Sequence, residues 1–273
     1  MSTKRQVVFD TDTYLARNPV FTLSQLSEAM GRSRARAQSW AKYHLGTGRL
    51  RAVERGTYAV VPPGMDPKAF LPDRFLVAAA LRPDGIFAYH SALELLGAAH
   101  SAWHVAVVLS ERRRRALVLG SDRIEFHEHP AKLRLAGDPL LGVSRLPYRM
   151  VTITTAGAER TLVEGFRLPR LVGGLEELVE SAGGFPALDL ETLLMILRVF
   201  DQKALFSAVG WFLERYQRVF YVPDELLLEL ERERPVSPYY LPRRLRGQGG
   251  VHVRRWNLVL PETVVRLEEP DEG

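Results

Sequence analysis

Apolar residues recur at helical spacing in the first part of the chain and at alternate positions directly afterwards. The helical spacing predicts three short helices, over residues 7–17, 22–31 and 33–45. The alternation predicts two strands, residues 50–54 and 57–61, joined by a tight turn at Arg55 and Gly56. Three helices followed by a hairpin is the order of a winged helix-turn-helix. The sequence therefore predicts this fold for residues 1–64.

Capping signals support the predicted second and third helices. Thr22 and Gln25 have the spacing of a capping box, and Gly31 is a typical helix end. Ser33 is expected to cap the third helix. The inward face of that helix is expected to consist of four residues, Ala37, Trp40, Ala41 and Leu45.

The rest of the chain mixes helical and strand patterns. Prolines at positions 62, 63, 67 and 72 predict a domain boundary. Beyond it we expect helices at residues 73–81 and 91–96, the latter capped by Ser91, and strands at 103–109, 124–129 and 149–154. Helices follow at 158–168, 175–181, 190–200, 204–216 and 224–234, then an irregular basic tail and a strand at 256–260. The predicted fold class is α+β: an N-terminal winged helix-turn-helix followed by a larger mixed α/β C-terminal domain, residues 70–273.

Composition narrows the possible chemistry. The 273 residues include no cysteine, which excludes disulfides, thiol nucleophiles and cysteine-ligated zinc. We find no signal-peptide pattern and no apolar stretch long enough to span a bilayer, so we expect a cytoplasmic protein with no membrane partner. Residues 1–60 contain ten Lys or Arg against four Asp or Glu, whereas the net charge of the whole chain is +5. The excess positive charge thus lies where the winged helix is predicted.

The outer face of the third helix carries residue types that suit duplex DNA. Arginine and glutamine can make paired hydrogen bonds to guanine and adenine, whereas lysine and serine more often hold phosphates. A basic residue at the hairpin turn can reach the backbone or the minor groove. The predicted DNA-binding residues are Arg32, Ser33, Arg34, Arg36, Gln38, Ser39, Lys42, Tyr43, Arg49 and Arg55, with Arg51 as an extension. A solvated basic face is the alternative interpretation.

The segment of residues 21–60 resembles the N-terminal domain of the AbiEi family, the antitoxins and transcriptional regulators of type IV AbiE abortive-infection systems. The most specific part is the hairpin, with Gly-Arg-Leu at 48–50 and Arg-Gly-Thr-Tyr at 55–58. The resemblance continues in residues 82–97, with Ser-Ala-Leu at 91–93, and in residues 159–180, with Glu-Arg-Thr-Leu at 159–162. The last sixty residues resemble the family less.

The resemblance implies a function that composition does not show. Such proteins repress their own operon by binding inverted repeats in its promoter. They also counteract a co-transcribed nucleotidyltransferase toxin without forming a stable complex with it. The N-terminal domain makes the DNA contacts, and the C-terminal domain is needed for antitoxin action. The family offers no catalytic residues to carry over, so we expect neither an enzyme nor a cofactor.

Three patterns offer alternative chemistry. His127 and His129 share one face of a predicted strand, but a zinc site needs a further ligand, so we expect exposed strand histidines. His90 and Ser91 are adjacent, and adjacent side chains point apart, which argues against a nucleophile and its base. Glu125 and Glu128 lie on a strand without the lysine that nuclease sites pair with them. We expect no metal or catalytic site.

Two basic segments have open interpretations. Residues 112–115 are four consecutive arginines, which form either a solvated loop or a second phosphate contact. The tail contains bases and aromatics, and either binds nucleic acid, single strands included, or docks on its own domain. Its residues are Arg243, Arg244, Arg246, Arg254, Arg255, Tyr239, Tyr240 and Trp256.

The sequence thus predicts a DNA-binding autorepressor and antitoxin. The second hypothesis is an interaction protein whose C-terminal domain binds a toxin or RNA directly. The third is a metal-dependent nuclease.

Overall fold

The computed structural model describes residues 9–246 and 249–267. Within residues 9–60 it contains three helices and three strands. Their bounds are α1 Thr11–Arg17, β1 Val20–Thr22, α2 Leu23–Met30, α3 Arg34–Gly46, β2 Leu50–Glu54 and β3 Thr57–Val60. Helix α1 begins at Thr11 because the carboxylate of Asp10 accepts a hydrogen bond from the backbone N–H of Thr13, at 3.0 Å. Residues 7 and 8 of the predicted helix lie outside the described residues.

Strand β1 is an addition to the predicted elements. It pairs antiparallel with β3, which pairs antiparallel with β2, so the sheet order is β1-β3-β2. The sheet and the three helices enclose one apolar cluster. It contains Leu15, Phe21, Leu23, Leu26, Ala37, Ala41, Leu50 and Tyr58. Each element therefore contributes to the same small core.

Residues 61–73 form neither helix nor strand, in the segment where the prolines predict a domain boundary. The elements that follow are α4 Arg74–Leu81, β4 Ile86–Phe87, α5 His90–Leu95, β5 Val105–Ser110, β6 Leu117–Leu119, β7 Asp122–Glu128, α6 Ala131–Leu135, β8 Val143–Tyr148, β9 Val151–Ala156, α7 Ala158–Arg167, α8 Leu175–Gly183, α9 Leu190–Phe200, α10 Lys203–Arg215, α11 Asp224–Arg232, β10 Tyr239–Tyr240, β11 Val251–Val253, β12 Leu258–Leu260 and α12 Glu262–Val265.

A six-stranded mixed sheet, ordered β6-β7-β5-β4-β9-β8, lies at the centre of this part. Its strand β5 is buried on both faces, which explains the nearly unbroken apolar run in the sequence. Ala106 and Val108 pack with α4 on one face, and Val107 and Leu109 pack with the later helices on the other. This alternation is the period-two pattern of a strand.

Helix α7 packs in the apolar cluster that β5 forms with the later helices, and it contains a buried ion pair. Arg160 and Glu164 are both fully buried, one helical turn apart, with Arg160 Nε 2.9 Å from Glu164 Oε1. Arg160 also donates to the carbonyls of Pro139 and Leu141, at 2.8 and 3.0 Å. The arginine therefore ties α7 to the loop before β8.

The strand predicted at 256–260 is confirmed in part as β12, but the tail before it is not irregular as predicted, because β10 and β11 pair with β12 in a second small sheet. Strand β12 lies between β10, which is parallel to it, and β11, which is antiparallel. Trp256 is completely buried, and its ring lies directly over Gly210 of α10, where a Cβ atom would come within 2.1 Å of it. The tail is thus part of the main core.

The two parts of the chain are in contact. Val20 of β1 and Val53 of β2 pack against the apolar cluster formed by α4 and the large sheet. The whole is an α+β fold, as the pattern predicts. The division into two domains at residues 64–70 stays a prediction. No helix among the described residues is long and apolar enough to cross a membrane.

Candidate nucleic-acid interface

Helices α2 and α3 have the caps that the sequence predicts. The Thr22 side chain accepts from the N–H of Gln25, and the Gln25 side chain accepts from the N–H of Thr22, which completes the capping box. Gly31 ends α2 in the left-handed conformation, with φ of 58°. Ser33 caps α3 through the N–H of Arg36.

The inward face of α3 differs from the prediction at one position. Ala37, Ala41 and His44 are buried, whereas Trp40 and Leu45 are half-buried. The stripe at i, i+4 and i+7 places His44 inside, with its ring 4.1 Å from that of Trp40. Burial and the nearby Arg49 guanidinium hold the pKa of His44 below its ordinary value. We therefore expect a neutral imidazole there near pH 7.

All ten predicted DNA-binding residues are exposed. At 100° per residue, Ser39 and Lys42 lie opposite the buried stripe of α3, together with Ala35. Gln38 and Arg34 flank them on one side, and Arg36 and Tyr43 on the other. Ala35 and Ser39 are small and allow a close approach at the centre of this face, while Lys42 and the longer side chains on both flanks reach past them.

Six of the ten have side chains that are free to bind a ligand. Within residues 9–246 and 249–267, the following make no side-chain hydrogen bond or ion pair: Arg32, Arg36, Gln38, Lys42, Tyr43 and Arg55. Three others have a weak or local contact. Arg34 Nη1 donates to Ser24 Oγ at 3.4 Å, Ser33 caps the helix, and Ser39 Oγ donates to the carbonyl of Ala35 at 3.1 Å. These contacts leave the side chains on the surface.

Arg49 and Arg51 are held by the protein itself. Arg49 forms an ion pair with Asp12 of α1, at 2.5 Å, beyond the C-terminal end of α3. Arg51 donates to the carbonyl of Lys68, at 3.2 Å. The sequence could not show these partners because they lie 37 and 17 residues away. The two arginines therefore serve the fold, and the free cations are those of α3 and the turn.

The β2–β3 turn lies beside the start of α2. The N–H of Leu23 donates to the carbonyl of Gly56 at 2.7 Å, and Gly56 has φ of 80°. Since Ser24 contacts Arg34, the turn, the start of α2 and the start of α3 form one edge of the molecule. Arg55 and Arg34 thus lie on the same edge.

The electrostatics of this surface are uniform. Residues 29–53 contain six Lys or Arg and no Asp or Glu. Two acids flank this segment: Glu28 of α2 is exposed, and Glu54 is bound by Arg114, which donates to both of its carboxylate oxygens. Nothing within that segment offsets the positive charge of the outer face.

The contact between Arg114 and Glu54 gives one residue of the segment 112–115 a structural role, and a phosphate contact by the others stays a prediction. Arg114 stacks on the Phe126 ring at 5.5 Å and anchors the loop to the hairpin. Its neighbours Arg112 and Arg115 are exposed. The sequence does not indicate this anchoring role, because the two contacting residues are sixty positions apart in the chain. The loop lies next to the hairpin turn that carries Arg55.

The other candidate patterns have structural explanations. His129 is buried, not exposed as expected: it follows β7, which ends at Glu128, and burial lowers its pKa. His127 is half-buried, with Nε2 3.2 Å from Glu125. Ser91 is not a helix cap: α5 begins at His90, and Ser91 Oγ accepts from the N–H of Val107 at 2.8 Å. Across the described part of the chain, no three His, Asp or Glu residues converge as metal ligands.

Glu125 and Glu128, the carboxylates of the nuclease hypothesis, already have cationic neighbours. Glu125 lies 2.9 Å from Arg123, and Glu128 lies 3.7 and 3.6 Å from Arg113 and Arg134. These contacts give both acids a role on the protein surface that needs no metal.

The basic tail divides into two groups. Arg255 pairs with Glu214 and Glu231, and Trp256 Nε1 donates to Glu214 at 2.5 Å. These residues dock on the protein's own core. Arg243 and Arg244, in contrast, are exposed, as are Arg246 and Arg254. Docking on the protein's own domain is thus observed for Arg255 and Trp256, and nucleic-acid binding by the exposed arginines stays a prediction.

Comparison with known proteins gives the fold class and one similar structure. No family model and no curated protein matches the chain. Among solved structures, the RV2827C protein from Mycobacterium tuberculosis is similar, with a TM-score of 0.60 and 18% sequence identity. The match covers 93% of this chain and 90% of that chain. At this identity the likeness shows a shared fold over almost the full length of both.

Proposed function

We propose that this protein is a DNA-binding transcriptional autorepressor that acts in the cytoplasm, with residues 1–64 folded as a winged helix-turn-helix. The element order α1-β1-α2-α3-β2-β3 with a three-stranded sheet supports this assignment. In this arrangement α3 enters the major groove, and the β2–β3 hairpin is the wing. The groove is wide enough for one helix, and the small residues at the centre of α3 suit that approach.

The observation that carries the proposal is the unpaired positive face of α3. Arg32, Arg36 and Lys42 have no carboxylate partner among the described residues, and no acid lies within residues 29–53. The arginines that are held by the fold have partners within the protein, as Arg49, Arg51 and Arg114 do here. A row of free cations on one exposed helix face is what phosphates and guanine edges require.

We further propose that the protein is the antitoxin of a type IV toxin–antitoxin operon, on the strength of the AbiEi resemblance. Its DNA partner would be inverted repeats in its own promoter. Its functional partner would be a nucleotidyltransferase encoded in the same operon and neutralised without a stable complex. Co-expression with that neighbour should restore growth, and the two proteins should not co-purify. Stable co-purification would favour instead an interaction protein that binds the toxin directly.

Fluorescence anisotropy with duplex DNA from upstream of the gene tests the DNA-binding proposal. Arg34→Ala and Arg36→Ala should each weaken binding, by about 1–3 kcal/mol for a residue that contacts a guanine. Lys42→Ala should weaken binding to all DNA sequences alike. It should also reduce the slope of log affinity against log salt concentration by about one, because one phosphate contact is lost. Arg198→Ala is the matched control, because Arg198 is exposed and pairs with Glu229 on the helical side of the larger part. Unchanged affinity in all three α3 variants would refute the assignment of this face.

A further inference from the structure

A cavity of about 740 Å³ lies in the larger part of the molecule, away from the α3 face. Its walls are the segment after α7, the start of α8, the exposed turn of the tail and Trp103. This volume is within the range of about 300–1,000 Å³ that small-molecule sites have in proteins. The cavity therefore has room for a ligand the size of a nucleotide.

Four arginines line this cavity: Arg167, Arg170, Arg243 and Arg244. None of them has a carboxylate partner in the part of the chain that the structure describes. Glu176 is the one acid among the lining residues, and its Oε1 accepts from Thr263 Oγ1 at 2.6 Å. The lining thus carries an excess of three positive charges, which an anion would neutralise.

Arg167 is positioned by the fold. Its Nη2 donates to Tyr89 Oη at 2.8 Å, and its guanidinium lies 5.2 Å from the centre of the Phe200 ring. Burial is the main cause that raises the pKa of Tyr89 above its ordinary value, so the phenol stays protonated and the arginine keeps its charge uncompensated. The Nε atom of Arg167 is buried without a partner. A guanidinium held in this way offers donors to a ligand.

The backbone at the start of α8 also lines the cavity. Gly173 and Gly174 have φ of 89° and 121°, a conformation that favours glycine, and they lead into α8 with no side-chain cap. Glu177 in the first turn is turned away and accepts from the N–H groups of His100 and Ser101, both at 3.1 Å. Both glycines are among the residues that line the cavity.

Trp103 gives the cavity a flat apolar surface. It is half-buried, with its ring 4.7 Å from that of His90 in an edge contact. Aromatic faces stack on nucleobases, and arginines bind phosphates through paired hydrogen bonds. An aromatic ring and four arginines without a carboxylate partner among the described residues match the two ends of a nucleotide.

We propose that this cavity binds a nucleotide, with its phosphates on the arginines and its base against Trp103. The site is separate from the α3 face and does not depend on the proposed DNA-binding function. It also assigns a role to Arg243 and Arg244, the two tail arginines that line this cavity.

Isothermal titration calorimetry with ATP, GTP and inorganic pyrophosphate tests this assignment. The parent protein should bind at least one of the two nucleotides. The double variant Arg243→Ala/Arg244→Ala should lose at least tenfold in affinity for nucleotide and for pyrophosphate. Trp103→Leu should weaken nucleotide binding but leave pyrophosphate binding unchanged, and Trp103→Phe should restore most of the loss. Circular dichroism melts show that each variant is folded.

The matched control is Arg232→Ala/Arg254→Ala, which removes two arginines from a different surface depression. It should bind nucleotides like the parent. The proposal is overturned if neither nucleotide binds at millimolar concentration, or if the control loses as much affinity as the cavity variant. Equal affinity for nucleotide and pyrophosphate, unaffected by Trp103→Leu, would show a phosphate site without base recognition. Much tighter binding of a single-stranded RNA oligomer would overturn the assignment to a small molecule.

Discussion

Arg114, in the loop between β5 and β6, donates to both carboxylate oxygens of Glu54 at the end of β2. Both side chains are about three-quarters buried, and the guanidinium also stacks on Phe126. This contact ties the hairpin of the N-terminal part to the large sheet. The position of Arg55, the next residue in the chain, is therefore set by both parts of the molecule.

Removing this contact should loosen the hairpin. We expect Arg114→Ala to cost about 1 kcal/mol of stability, or about 2–4 °C in Tm, and to weaken DNA binding by a similar free energy. Differential scanning fluorimetry and anisotropy measure the two effects. Arg113→Ala is the control, because Arg113 lies 3.7 Å from Glu128 and is largely exposed. If the charge-reversed pair Glu54→Arg/Arg114→Glu is no better than Arg114→Ala, the ion pair is not what holds the hairpin.

The buried pair in α7 should show strong coupling. Arg160→Met leaves the carboxylate of Glu164 buried without its cation, which should cost about 3–5 kcal/mol. Adding Glu164→Gln removes that charge, so the double variant should be more stable than the single one. Urea unfolding followed by circular dichroism measures both. A double variant that is less stable than Arg160→Met would show that the unpaired charge of Glu164 is not what makes the loss of this arginine costly.

The contact of Trp256 with Gly210 allows a steric test of the tail. In Gly210→Ala the new Cβ would lie 2.1 Å from the indole, so we expect a loss of about 1–3 kcal/mol or more. The double variant Gly210→Ala/Trp256→Leu should regain part of the lost stability, because the smaller side chain leaves room for the new Cβ atom. Gly46→Ala in α3, where nothing lies within 4 Å, is the control and should not destabilise. An unaffected Gly210→Ala protein would mean that the tail does not pack here.

Stability should fall as the pH falls below neutrality, and His44 should account for part of this. Its pKa in the folded protein is below the ordinary value of about 6.5. Above pH 6.5 the imidazole of His44 is mostly neutral in both the folded and the unfolded protein. Below it the unfolded state takes up the proton first, so unfolding becomes easier until the folded state is also protonated.

The variant His44→Leu should therefore have a shallower dependence of Tm on pH between 7.5 and 5.5. In the parent protein, Nδ1 of His44 has no hydrogen-bond partner among the described residues. The apolar replacement should therefore not destabilise the protein at pH 7.5. His100→Gln, at an exposed position, is the control. The same slope in His44→Leu and the parent would exclude a contribution from His44.

Local signals were sufficient for the helices of the N-terminal part and for the β2–β3 hairpin. The capping box of Thr22 and Gln25, the glycine at 31 and the cap at Ser33 act within one helical turn, so the sequence contains all of the information they need. The exposure of the α3 residues follows from the same periodicity. Their role in binding DNA stays a prediction.

Elements that depend on distant partners were not predicted. Strand β1 is three residues long and exists because Phe21 pairs with Tyr58 of β3. Strand β8 includes Pro147, which is tolerated because β8 is at the sheet edge. Ser91 looked like a helix cap, but the chain turns at Tyr89 with φ of 58° and the helix begins one residue early. Each of these depends on tertiary contacts.

The burial of Trp256 against α10 has a consequence for synthesis on the ribosome. Helix α10 emerges well before the tail, so the groove at Gly210 is open in the nascent chain until Trp256 has been made. The helical core around Gly210 can therefore pack completely only after Trp256 has been made. A tag or fusion partner that slows delivery of the tail would prolong the time during which this apolar surface can attract chaperones or other nascent chains.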